Sequence, residues 1–196
     1  MAKIALLVGM GEFESQDLAP LSKSVADLEA MKAALIDPEF GGFADSNITV
    51  LKHPTKQKLE DAIYDLFNKN RKRDDLLLFY FNGHGILDES LTFYFSTYQT
   101  ITDHGKLRPT TAVSSETVHK YMEKCKSKRI AIILDCCHSG AFARGMSAKG
   151  IITAPIQEQL GGEGRAILTA ASANQYAWEK DEFELSVYTH FLLEGV

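Results

Sequence analysis

A chain of 196 residues that is 45% apolar and 24% charged has material for one domain with a buried core and too little for two. Its 21 basic and 26 acidic residues leave a net charge of −5, and no stripe of Lys and Arg gathers the positive charge that nucleic acids or anionic membranes require. The composition has no low-complexity tract, which excludes a disordered or fibrous chain.

The N-terminal MAKIALLVG carries an apolar run too short for a signal peptide or a membrane span, and KIALLVG over 3–9 reads as a strand buried on both faces. SKSVADLEAMKAALI over 22–36 places Val25, Leu28, Met31, Ala34 and Leu35 at helical spacing, with DPEFGG stopping the helix. NITVLKH over 47–53 predicts a strand. TKQKLEDAIYDLFNKN over 55–70 predicts a helix with Leu59, Ile63, Leu66 and Phe67 on its apolar stripe, and the basic NKNRKR at 68–73 is its solvated end. Leu76 to Phe81 form the next buried strand, which runs into a Gly-His-Gly turn, and LTFYFSTY over 91–98 reads as a hairpin arm outside the main sheet. A helix over 115–125 and a strand over 129–135 follow. The segment 143–164 has several glycines and no clear period, so it reads as a mobile, exposed connection. A strand over 165–172 and a helix over 187–195 complete the pattern. Strands alternating with helices predict an α/β domain whose mostly parallel sheet has helices on both faces and right-handed crossovers.

Ligand crevices of such sheets lie outside the carboxyl ends of the strands, and two apolar runs end there in reactive residues. His84 follows one strand and Cys137 another, 53 positions later, so both project from one sheet edge. A thiol becomes a nucleophile where an imidazole can take its proton. Gly83 and Gly85 allow a tight turn and leave a backbone N–H to face an oxyanion. The three cysteines, two of them adjacent, cannot form an ordinary disulfide framework, which points to a reducing, cytoplasmic setting. A zinc site built from His84, Cys136, Cys137 and His138 is the rival chemistry. Neighbours on an extended strand face opposite ways, and no CxxC or HxxxH spacing supports it, so no metal is expected. GMGEFE over 9–14 begins like a dinucleotide fingerprint, but it lacks the third glycine and the helix that should follow at once, and it reads as a turn.

YFNGHG together with LDCCHSG resembles the caspase-like cysteine peptidases, in their bacterial orthocaspase or metacaspase branch. A signature of this class puts a histidine about fifty residues before the cysteine, and Asp135 stands here where that signature has Gln. ILTAASANQYAWE and VYTHFLLEG also resemble the family's small-subunit strand and helix, so the likeness spans nearly the whole chain. It implies a caspase-like three-layer sandwich over 1–196: a large-subunit-like part over 1–142, an intersubunit-type loop over 143–164, and a small-subunit-like part over 165–196 that stops short of the family's last helix and strand.

The resemblance also implies roles. Cys137 would be the nucleophile, His84 the general acid and base, and the N–H groups of Gly85 and Cys137 the oxyanion hole, while Cys136 packs into the core. Asp135 and Asp27 would form an acidic cup for an Arg or Lys before the scissile bond. The implied partner is a protein or peptide substrate with such a basic residue, with no nucleic acid and no membrane, alongside further C-terminal domains or a regulatory partner. The implied role is effector of a signalling, defence or cell-death pathway. Calcium-dependent relatives carry an acidic residue soon after the nucleophile; HSGAFARGM offers Arg144 and no carboxylate, so no cofactor is expected and calcium activation has no support. Self-cleavage after Arg144 or Lys149 would follow from a basic preference. The alternative is a catalytically silent interaction module, against which the intact Cys and His argue; a nucleotide-binding domain resting on GMGEFE is the third reading.

Overall fold

The apolar runs and amphipathic segments fold as their periods require, in a computed structural model that describes residues 1–138, 153–170 and 183–195. The strands are β1 (Lys3–Gly9), β2 (Ile48–Lys52), β3 (Leu76–Leu87), β4 (Phe93–Phe95), β5 (Thr102–Asp103), β6 (Lys106–Leu107), β7 (Val113–Ser114), β8 (Arg129–His138) and β9 (Arg165–Thr169). The helices are α1 (Ser24–Ile36), α2 (Lys56–Asn68), α3 (Ser115–Glu123), α4 (Thr153–Leu160) and α5 (Val187–Glu194). Parallel strands run in the order β2-β1-β3-β8-β9, and β4 and β7 extend the same sheet in antiparallel fashion. β5 and β6 form a separate two-stranded hairpin.

Alternation along the strands sorts the core into two layers. One face carries Leu6, Val8, Phe79, Phe81, Ile132 and Leu134 against Leu59, Ile63 and Phe67 of α2, Val118 and Met122 of α3, and Ile156 and Leu160 of α4. The opposite face carries Ala5, Leu7, Tyr80 and Ile133 against Leu28, Met31 and Leu35 of α1, with Tyr188, Leu192 and Leu193 of α5 packed alongside. This is the three-layer α/β sandwich that the alternation and the resemblance led us to expect. Side-chain caps start three of the helices: Thr55 accepts from the N–H of Lys58, Ser114 from that of Thr117, and Ser186 from that of Thr189. Among the described residues no helix is long and apolar enough to cross a membrane.

Three expectations change. The Gly-His-Gly segment is not a turn, because β3 continues through it to Leu87. Its glycines are required by packing. A Cβ on Gly85 would collide with the Phe93 ring, and one on Gly83 would lie 2.8 Å from Phe81 and 2.9 Å from Met10. The 91–98 segment does not stand outside the sheet: β4 pairs with Gly85–Leu87 on the edge of β3 that β1 leaves after Asn82. The 143–164 segment is not wholly an exposed connection, since residues 153–160 form α4 and bury Ile156 and Leu160 completely. A two-turn helix shows one apolar pair, too few repeats for a period to register. The self-cleavage positions Arg144 and Lys149 lie outside the described residues.

Candidate active site

The ladder between β3 and β8 fixes the site. It pairs Asn82 with Asp135, Gly83 with Cys136, His84 with Cys137 and Gly85 with His138. Tyr80, Asn82 and His84 share one face of β3, and positions 133, 135 and 137 fall on the same side of β8. Cys136 is on the other face, 2% exposed and packed in the core, as expected. It therefore cannot share a metal ion with His84. The side chains of Cys137 and His138 lie outside the described part, as does everything from 139 to 152.

His84 is fully buried and held from three directions. Its backbone N–H donates to Ser96 Oγ at 3.1 Å, and the N–H of Ser96 donates to the His84 carbonyl at 3.0 Å. The ring's Nε2 is 2.8 Å from the carbonyl oxygen of Ala19. A carbonyl only accepts, so Nε2 carries the proton and Nδ1 is the basic nitrogen. Phe13 covers the ring at 5.0 Å between centroids. Phe13 belongs to the segment 9–14 read from sequence as a mere turn after β1, and Ala19 follows it; together they form the wall that orients the imidazole. The backbone also aims Gly85. The carbonyls of Asn82 and His84 accept from Met10 and Ser96 on the β1–β4 edge, so alternation turns the Gly85 N–H toward β8.

Asp27 and Asp135 meet two positions before His84 along β3. The Asn82 amide donates to Asp27 Oδ2 at 2.6 Å and to Asp135 Oδ2 at 3.2 Å. From α5, the Ser186 N–H donates to Asp27 Oδ1 at 2.9 Å, while the Ser186 and Thr189 hydroxyls donate to Asp135 Oδ2 at 2.6 and 2.8 Å. Tyr80 closes the network through a 2.7 Å hydroxyl contact with Thr189. Asp135 Oδ1 takes part in none of these bonds. Burial lifts the Asp27 carboxyl to about 6, with the Asp135 charge adding to the rise against the donors from Ser186 and Asn82. Burial raises Asp135 as well. Sequence reasoning found the two carboxylates but missed Asn82, Ser186, Thr189 and Tyr80. The visible signal was one amide inside the apolar run LLLFYFN.

This cluster makes stability depend on pH in an unusual direction. Asp27 titrates near 3.8 in the unfolded chain and at about 6 when folded, so the folded state holds the extra proton between those values. Its contribution is present below pH 4 and lost as pH rises through 6. We expect Asp27→Asn to gain about 1 kcal/mol relative to wild type between pH 5 and pH 7. Urea midpoints at the two pH values test this, and a difference that does not change with pH would refute it.

Residues 2–196 match the sequence model of a family described as the Caspase domain. Among solved structures, the chain resembles the crystal structure of protein GSU0716 from Geobacter sulfurreducens with a TM-score of 0.66, over 99% of this chain and 81% of that one. At 18% identity that likeness is one of fold alone. No curated protein sequence matches the chain.

Proposed function

We propose that this chain, which belongs to the caspase-domain family of cysteine peptidases, is an active endopeptidase with a Cys137–His84 dyad that cleaves after Arg or Lys. The observation that carries the reading is the ladder pairing of His84 with Cys137. The thiol gives its proton to Nδ1 of His84, and the thiolate adds to the scissile carbonyl carbon. The oxyanion is assigned to the N–H groups of Gly85 and Cys137, which the outer pairs of the β3–β8 ladder must release to it. Collapse breaks the C–N bond as the imidazolium returns the proton to the leaving amine. Water then adds to the thioester with His84 as base, and the acid leaves as sulfur recovers its proton.

Asp27 and Asp135 give the specificity. A guanidinium or ammonium that reaches Asp135 Oδ1 relieves the repulsion between two buried carboxylates, whereas an Asp side chain would add a third negative charge. Irreversible cleavage at basic sites suits an effector of signalling, defence or cell death. The test is a peptide library digested side by side by wild type and Cys137→Ala. Cleavage after Arg and Lys by wild type alone is expected. Preferred cleavage after Asp refutes the specificity, and no cleavage by wild type leaves the silent interaction module standing.

A further inference from the structure

The loop that orients His84 also walls a second cavity. A groove of about 360 Å³ is lined by Asp17 and Leu18 on one side, by Thr102, Asp103 and His104 of the β5–β6 hairpin on the other, and by Ile86. It adjoins the base on both strands of chain that shape it: Leu18 precedes Ala19, whose carbonyl binds the imidazole, and Ile86 shares the strand face of His84 two positions on. Asn82 with its acidic pair, His84 and Ile86 therefore stand in a row along β3, with successive positions roughly 7 Å apart. A substrate whose basic side chain lies at the Asn82 end has its scissile bond at His84. The imidazole protonates the leaving amine, so the residues after that bond leave toward the Ile86 end of β3, where the groove lies.

The lining decides what they should be. Asp17 and Asp103 bring two carboxylates, and among the described residues no Lys or Arg lines the groove; Lys106 on the same hairpin is paired with Glu89 at 3.0 Å. His104 lies 3.6 Å from Asp103 and competes for it only when protonated. Leu18 and Ile86, 5% and 1% exposed, form its nearly buried floor, so the exposed carboxylates of Asp17 and Asp103 are the groups it offers to a ligand. We propose that this groove is a subsite for a Lys or Arg on the leaving-group side, so that the enzyme prefers to cut between basic residues. The proposal rests on the peptidase reading above.

The test uses peptides with Arg fixed before the scissile bond and Arg, Ala or Glu in the two positions after it. Wild type should cut the Arg peptides about fivefold better than the Ala ones by kcat/KM, in line with exposed ion pairs, and added salt should shrink the ratio. In Asp17→Asn/Asp103→Asn the ratio should fall to about one, and Asp103→Lys should move the preference toward Glu. A wild type that cuts all three alike, or a double variant that keeps the ratio, overturns the subsite while leaving the peptidase reading intact. If no Arg-containing peptide is cut, the peptidase reading fails and the subsite with it.

Discussion

Replacing either Cys137 or His84 by Ala should lower kcat/KM on an Arg peptide by about a thousandfold or more, while Cys136→Ala should stay within a few-fold of wild type. The contrast follows from strand parity. His84 and position 137 are ladder partners on one face, whereas Cys136 lies on the other among Phe81, Phe93 and Leu134. In the proposed mechanism no thioester forms without Cys137, and without His84 the thiol has no acceptor for its proton and the leaving amine no donor. Cys136→Ala removes one buried sulfur and should cost about 1 kcal/mol of stability, with no loss of chemistry. Kinetics on the three variants, with folding checked by circular dichroism, decide the matter. Equal loss on changing Cys136 in a folded protein would move the nucleophile.

Asp135→Ala should lower kcat/KM on the same peptide by at least about a hundredfold, because stripping one partner from a buried charge pair costs roughly 3–5 kcal/mol. The loss belongs to recognition, so it should fall far more on Arg and Lys substrates than on a peptide with Gln in their place. Asp135 accepts from Ser186, Thr189 and Asn82 through one oxygen, so the variant also releases three donors. Asp135→Asn keeps the volume and is the cleaner comparison. An Arg-to-Gln selectivity that survives in both variants would remove Asp135 from the specificity site.

The sheet was legible because its central strands are continuous apolar runs and its longer helices repeat their stripe several times. β4 and α4 were not, for opposite reasons: the three residues of β4 join the main sheet only because β1 stops at Gly9, and α4 has a single apolar pair. Within the site, Asp27 is set by α1, while His84, Asp135 and Cys137 follow the apolar runs of β3 and β8, where sheet geometry advertises them. The partners that tune them are not advertised. Ser186 reaches Asp27 across 159 positions of sequence and Asp135 across 51, and such closures leave no local pattern to read. The Ala19 carbonyl is harder still, since backbone acceptors are present at every position and only the folded loop selects one.

Ser186 has one further consequence, for the order in which the protein becomes competent during synthesis. Asp27 and Asp135 are translated well before the residues that reach them from α5, so in the growing chain Asn82 is the one donor of those described that is available to both carboxylates. Two buried carboxylates sharing a single amide repel each other, and without further donors α1 and the end of β8, which carry them, are not held together there. Helix α5 and its cap Ser186 supply the missing donors. A nascent chain therefore carries His84 and Cys137 before the donors that hold Asp27 and Asp135, and the acidic pair is fully bonded only once α5 has been made.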